Sequence, residues 1–259
     1  MKQGAHANQG VHVKLNLFRF ASPAAFYPLA GRLIPWFWAL ALPSIAFALY
    51  WGFFHTPEIL SEQKQYYRII FPHVGAAWMS MWLYVVMVGW AAVGLVFNTR
   101  LSFMMASATA PTGALFTFLA LWTGAFWGKT SWGTWWDWDP RMTSELILLF
   151  LYIGYMALQS AIDDTRRADR AAALLAIVGL ICVPIIFWSI NCPDPTQCAA
   201  LHQRSSLEHV ERNILVAMFV MAFGFWMYSF AVILMRLRNI ILARERHASW
   251  VMQLPEVGR

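Results

Sequence analysis

Long uncharged stretches alternate with short polar stretches along this chain of 259 residues. The uncharged stretches are close to or above the roughly 18–20 apolar residues that a helix needs to cross a bilayer. Because no water reaches the hydrocarbon core, each stretch must satisfy its own backbone hydrogen bonds, which predicts α-helix. The pattern therefore predicts an all-α integral membrane protein with six transmembrane helices, the fourth of which can be extended backwards only past Glu145. The predicted spans are 35–54, 69–99, 101–128, 146–162, 171–193 and 213–235.

The composition supports a membrane protein, and the distribution of charged residues predicts its orientation in the membrane. Only 12% of the residues are charged, about half the share in a soluble domain, and the mean hydropathy is +0.51. Thirteen of the nineteen lysines and arginines fall on the side that carries both termini, which places the termini in the cytoplasm. The net charge of +6 then reflects orientation and attraction to the lipid bilayer, and it needs no nucleic acid partner.

The sequence predicts one membrane domain over residues 1–259. Residues 1–34 mix aromatic and basic side chains, which indicates a cytoplasmic arm at the membrane surface. Residues 236–259 form the predicted cytoplasmic tail, whose first part continues the last helix along the lipid surface. The first span follows too many residues to be the core of a cleavable signal peptide.

A tryptophan-rich segment, WGKTSWGTWWDWDPR at residues 127–141, lies between the third and fourth spans. It holds five of the fifteen tryptophans, interleaved with glycines and charged residues. An aromatic belt would place one or two such residues at each helix end, and this segment exceeds that density. A flat apolar surface with charged handles suits a large planar ligand with charged edges, and haem matches that description. The tryptophans are Trp127, Trp132, Trp135, Trp136 and Trp138.

Four histidines fall on the same outward side as the Trp-rich segment, and two of them could supply axial ligands to a haem iron: His55, His73, His202 and His209. Taken singly each is weak evidence, because imidazole also suits other metals and solvated histidines are common. His202 and His209 are seven residues apart and would share a helix face, so their spacing does not choose between them. No compact set of four zinc ligands is visible.

Charged residues near the Trp-rich segment are candidates for the polar contacts of such a ligand. Arg68, Lys129 and Arg141 could pair with haem propionates, although snorkelling to the interface explains them equally well. Asp139 could pair with Arg141 or cap a helix that starts near Thr143. Glu145 lies close to the membrane boundary, where a carboxylate requires a partner.

The motif WGxxxWGxWWxWDxR, followed by TSELIL, resembles the WWD-domain haem-handling family, and within it the six-span C family of cytochrome c maturation. The resemblance implies that haem b binds non-covalently on the periplasmic face of a bacterial inner membrane, against residues 127–141. It implies one axial histidine from each flanking region. These are His73 and, through the Leu-His-Gln at 201–203, His202. Asp139 and the three cations above complete the implied cofactor-binding set.

The same resemblance implies partners and a role. The partners would be subunits A and B of an ABC transporter, a small one-span membrane protein called D, and a periplasmic haem chaperone E that bonds covalently to a haem vinyl. The chain would hold and present haem rather than act as an enzyme in the strict sense. A haem-transporting permease and a membrane b-type cytochrome are the alternatives. The histidines lie at a helix end and in a loop rather than within opposing spans, and no broken pair of spans marks a midplane site.

Two features depart from the family pattern. Gly75 stands where the family usually has proline, and Gln197 and Cys198 stand where it commonly has paired tryptophans. Because the outer compartment is oxidising, Cys192 and Cys198 are predicted to form a disulfide. Cys182 lies within a span and is interpreted as a small buried apolar residue.

Overall fold

The computed structural model of the protein describes residues 22–56, 64–191 and 210–254, and these residues form helices and short connections. Six helical segments in this part of the chain are long and apolar enough to cross a membrane. The predicted all-α class with six transmembrane helices is therefore confirmed. The helices are α1 (Pro23–Phe54), a 3₁₀ helix (Lys64–Ile69), α2 (Ile70–Phe97), α3 (Arg100–Trp132), α4 (Pro140–Ala161), α5 (Thr165–Gly179), α6 (Cys182–Asn191), α7 (Arg212–Arg244) and α8 (Ser249–Met252).

The first helix begins well before the predicted first span. The Ser22 side chain accepts a hydrogen bond from the Ala25 N–H, and Pro23 occupies the first helical turn, where its missing N–H costs nothing. Residues 23–34 of the predicted cytoplasmic arm therefore belong to α1 and are continuous with the predicted first span. Residues 1–21 lie outside the described part of the chain.

The boundaries around the Trp-rich segment also differ from the prediction. Helix α3 continues to Trp132 and ends at Gly133, whose φ of +80° is a left-handed conformation that glycine adopts without strain. Helix α4 begins at Pro140, six residues before the predicted start of the fourth span. Residues 127–132 are therefore helical, and the connection between the two helices is confined to residues 133–139.

The fifth span consists of two helices, α5 and α6. Pro184 has no N–H to donate to the carbonyl of Leu180, and Val183 N instead donates to that carbonyl at 3.1 Å, which tightens the turn. Helix α7 runs on to Arg244, so residues 236–244 extend the last helix as predicted, whereas the predicted extension to residue 250 is interrupted after Arg244 and followed by the short α8.

Helices α2, α3, α4 and α5 pack around one another, while α1 packs mainly against α7 at the periphery. Small residues permit the close approach: a Cβ added to Gly224 of α7 would lie 2.7 Å from the Ile45 side chain of α1. Cys182 is buried in the main core cluster, as predicted from its place within a span.

The packing brings three helix ends together. The start of α2, the end of α3 and the start of α4 lie at one end of the bundle, because consecutive spans alternate in direction. The candidate site lies at this end.

Candidate functional site

His73 lies in the first turn of α2 and is buried, with 6% of its surface exposed. Its Nδ1 is 2.9 Å from the hydroxyl oxygen of Thr123 on α3. The Thr123 hydroxyl in turn donates a 2.6 Å hydrogen bond to the carbonyl of Leu119, one turn earlier in the same helix. The histidine is thus held against α3 through a side chain that is itself fixed to the helix backbone.

Two further residues of α3 contact the same imidazole. A Cβ added to Gly124 would lie 3.0 Å from the His73 Cε1, so glycine at this position lets the ring lie close to the helix backbone. The ring of Trp127 meets the His73 ring edge-on, with centroids 5.6 Å apart and an interplanar angle of 84°. Residues 123 and 124 each lie about one helical turn before residue 127, so both are on the same side of the helix as Trp127.

A pocket of about 620 Å³, counting the open space at its mouth, lies beside His73. The walls are mostly apolar, with a few polar side chains from α2, α4 and the connection that precedes α4. The lining residues are His73, Ala77, Met81, Ala120, Leu121, Gly124, Trp127, Trp132, Asp139, Arg141, Met142, Glu145 and Ile186.

Arg141 is the cationic residue among the lining side chains of the described pocket. Its Nη1 is buried and makes no hydrogen bond within the described part of the chain. Since an unpaired buried N–H of a cation costs free energy, this atom is suited to an anionic ligand group.

Two carboxylates line the same pocket. Asp139 accepts a 2.6 Å hydrogen bond from the Met142 N–H and thereby caps α4, so the capping alternative holds, with the helix starting at Pro140. Burial raises the pKa of the Asp139 carboxyl, against the lowering effects of the Met142 N–H and of Arg141. Glu145 has the partner it was expected to need, since the Ser80 hydroxyl donates to it at 2.5 Å.

The connection at residues 133–139 folds back on the end of α3. Gly128 is buried, and a Cβ there would lie 3.3 Å from both the Thr134 carbonyl oxygen and the Trp132 ring. The Thr134 hydroxyl donates to the Trp136 carbonyl at 2.8 Å. The ammonium of Lys129 donates to the Gly133 carbonyl at 2.9 Å and so satisfies the end of the helix.

The structure divides the predicted tryptophans into two groups. Trp127 and Trp132 line the pocket. Trp135 packs edge-on against Phe126, and Trp136 packs edge-on against Trp138, which is 74% exposed. The second group forms the outer surface beside the pocket rather than its wall.

The three predicted cations also separate. Arg141 lines the pocket, Lys129 caps α3, and the Arg68 guanidinium lies 6.0 Å from the ring centroids of Phe53 and Tyr67. Among the described residues, no three histidine, cysteine, aspartate or glutamate side chains are arranged to hold a metal ion. The other predicted site histidine, His202, lies outside the described residues, as do His209, Cys192 and Cys198.

Sequence reasoning missed several lining residues and Thr123. One signal was available for those on α3: Ala120, Gly124 and Trp127 recur at helical spacing within the predicted third span, 101–128, which places them on one face. The contributions of Met81 and Ile186 depend on helix packing and have no comparable local signal.

The fold and the site together define a multi-pass helical membrane protein with a mostly apolar pocket at one end of the bundle, lined by His73 and Arg141 among others. The family model described as "Heme exporter protein C" matches residues 16–252. The chain belongs to the haem exporter protein C family, whose members handle haem.

Three curated relatives carry the same description. The protein of Escherichia coli (strain K12) is 40% identical over 238 residues, which cover 92% of this chain and 96% of the relative. That of Bradyrhizobium diazoefficiens is 39% identical over 240 residues, covering 92% and 90%. That of Haemophilus influenzae is 37% identical over 245 residues, covering 93% and 97%. The similarity therefore extends over nearly the whole chain.

Proposed function

We propose that the pocket binds haem b non-covalently, with His73 as one axial ligand and His202 as the other. The observation that carries the proposal is the position of His73. It lines a mostly apolar pocket at the end of the bundle and is anchored through Nδ1 to Thr123. An imidazole anchored through one nitrogen directs the other nitrogen as the metal-binding atom.

The other lining residues fit the rest of a haem. Trp127 and Trp132 supply broad apolar faces for the macrocycle, and the buried Nη1 of Arg141 suits a propionate. Bound haem would supply an iron that the two imidazoles can coordinate. It would also supply the vinyl group to which the chaperone bonds. The residues of this chain bind, orient and partly enclose it.

We propose further that the protein presents haem at the periplasmic face. The distribution of lysine and arginine favours cytoplasmic termini, and the pocket lies at the opposite end of the bundle from the start of α1 and the end of α7. Exposed aromatic side chains beside the pocket, above all Trp138, suit contact with a second protein.

In this proposal the protein acts beside subunits A and B of an ABC transporter and the small membrane protein D, and the receiving protein is chaperone E. It holds haem and is not itself an enzyme. The bacterial inner membrane is the location that this role requires.

The test is the visible spectrum of the detergent-purified protein produced with haem. A low-spin signal of two imidazoles is expected in the wild type, and loss or alteration of it in His73→Ala and His202→Ala. His55→Ala is a matched control, because His55 stacks on Trp51 at the end of α1 and does not line the pocket. His209→Ala tests whether His202 rather than His209 is the second axial ligand, and its spectrum is expected to equal that of the wild type.

Two results would overturn the proposal. One is a wild-type protein that holds no haem even when haem and the partner proteins are co-produced. The other is a His73→Ala variant whose haem spectrum equals that of His55→Ala.

A further inference from the structure

The contact between Thr123 and His73 carries an inference about how the axial ligand is prepared. We propose that Thr123 is a positioning residue that fixes His73 in the tautomer protonated at Nδ1, so that Nε2 carries the lone pair that binds iron. This inference rests on the proposed function for its purpose, whereas the tautomer itself is a property of the haem-free chain.

The direction of the hydrogen bond follows from counting hydrogens. A threonine hydroxyl has one hydrogen, and Thr123 directs it to the Leu119 carbonyl at 2.6 Å. The 2.9 Å contact with His73 Nδ1 can then be a hydrogen bond only if Nδ1 carries the proton and the Thr123 oxygen accepts it. In a neutral imidazole, protonation at Nδ1 leaves Nε2 as the basic nitrogen.

The rest of this turn of α3 restricts the ring in other directions. Gly124 allows the Cε1 edge to lie against the helix backbone, where a Cβ would approach it to 3.0 Å. Trp127 meets the ring at 84°. Rotation of the imidazole about its bond to Cβ would break the bond to Thr123 and lose these two contacts. The orientation of His73 is therefore set before any ligand binds.

This arrangement has two consequences for a bound iron. The ordering of the ring is already complete, so less rotational freedom is lost on coordination, which raises affinity. The hydrogen bond from Nδ1–H also makes Nε2 a stronger electron donor, which favours ferric over ferrous iron and lowers the midpoint potential.

Thr123→Val is the informative substitution, because it keeps the branched shape and removes the acceptor. Thr123→Ser restores a hydroxyl and is the conservative rescue. Thr117→Val is the matched control: Thr117 is fully buried on the same helix, and its hydroxyl makes the same backward bond, to the Gly113 carbonyl at 2.8 Å. The control therefore removes a threonine hydroxyl and its hydrogen bond to the backbone at a position that does not contact His73.

The first measurement uses haem-free, ¹⁵N-histidine-labelled protein in detergent at mildly alkaline pH. The His73 signals are identified by their absence in His73→Gln. Wild type, Thr123→Ser and Thr117→Val are expected to show a protonated Nδ1, and Thr123→Val a shift towards protonation at Nε2. A wild-type His73 protonated at Nε2, or a Thr123→Val spectrum equal to that of Thr117→Val, would overturn the inference.

The second measurement is haem affinity and midpoint potential of the same four proteins. Thr123→Val is expected to bind haem about 10-fold or more weakly, with a potential above that of the wild type, and Thr123→Ser to restore both. Equal affinity and potential in Thr123→Val and Thr117→Val would overturn the positioning role. A wild type without haem would refute the proposed function alone, since the tautomer measurement would still decide the state of His73.

Discussion

The Ser80 hydroxyl donates a 2.5 Å hydrogen bond to the Glu145 carboxylate and so joins α2 to α4 at the wall of the pocket. Both residues are buried, and the Tyr152 hydroxyl donates to the Ser80 carbonyl at 2.9 Å, which adds a second link between the same helices. A buried carboxylate is tolerated where its oxygens have donors, and Ser80 supplies one.

Ser80→Ala is expected to lower the free energy of unfolding by about 1–3 kcal/mol, because it leaves a Glu145 oxygen without its donor. Thermal unfolding in detergent measures the loss. Ser80 also contacts the Ala77 carbonyl at 2.8 Å, so the single variant alone does not isolate the pair. A double-mutant cycle with Glu145→Gln isolates it, and additive effects of the two substitutions would show that the Ser80–Glu145 bond contributes nothing.

Arg141→Gln is expected to weaken haem binding by about 10-fold or more, because a charge-assisted bond to a carboxylate is worth roughly 1.5–3 kcal/mol. Haem content and affinity of the purified protein measure the effect. Lys129→Gln is the control, since Lys129 lies in the same Trp-rich segment but donates to the Gly133 carbonyl. If Lys129→Gln weakens haem binding as much as Arg141→Gln does, the assignment of the propionate contact to Arg141 alone is wrong.

The number of helices and the membrane class could be predicted from the sequence because they depend on length and apolarity alone. The helix boundaries depend on caps, and the predicted start of the fourth span was wrong for that reason. Avoiding Glu145 placed the start at residue 146, whereas the Asp139–Pro140 pair caps and begins the helix six residues earlier. A buried carboxylate with a hydrogen-bond donor fits inside a span.

Within the candidate site, residue chemistry was predictable and pairing was not. Trp127 and Trp132 stand out through the density of tryptophan at residues 127–141. Arg141 stands out through its place in that segment, and His73 through its place on the same predicted outward side. Thr123 and Ser80 are ordinary residues, and their importance arises only from the packing of α2 against α3 and α4. The contact of Lys129 with the Gly133 carbonyl and the place of Arg68 near the Phe53 and Tyr67 rings also depend on packing, and the sequence alone did not predict them.

Asp139 and Asp164 are expected to give opposite dependences of stability on pH. Burial raises the folded-state pKa of Asp139 above the usual value of about 3.9, so the folded protein binds this proton more tightly than the unfolded one. Its contribution to stability then decreases as the pH rises from the unfolded-state pKa through the raised folded-state pKa. Asparagine keeps the capping oxygen and lacks the proton. The unfolding temperature of Asp139→Asn minus that of wild type should therefore increase with pH.

The exposed Asp164 caps α5, and the Arg167 N–H lowers its pKa. Its contribution is present above the usual pKa of about 3.9 and is lost as pH falls through the lowered value. The same difference for Asp164→Asn should therefore decrease as pH rises. The measurement is the unfolding temperature of the wild type and the two variants across the acidic pH range. Differences from wild type that change with pH in the same direction for both variants would contradict the opposite pKa shifts of Asp139 and Asp164.

Arg244 of α7 makes two hydrogen bonds to Asp169 of α5, at 2.8 and 2.9 Å, and a third to Gln159 of α4 at 3.1 Å. The Asp169 side chain is only 7% exposed. Removing one partner of a buried ion pair typically costs about 3–5 kcal/mol, because the other charge stays buried without compensation. Arg244→Gln is therefore expected to lower the unfolding free energy by that amount without changing the spectrum of any haem retained at the other end of the bundle.

Arg100→Gln is the matched control for Arg244→Gln. Arg100 lies 3.9 Å from Glu245 near the same end of the bundle, but its side chain is 80% exposed. Exposed pairs contribute about 0–1 kcal/mol, so unfolding of this variant in detergent should be close to that of wild type. Equal losses in the two variants would mean that burial does not determine the strength of these ion pairs. A haem spectrum changed by Arg244→Gln would mean that the two ends of the bundle are coupled.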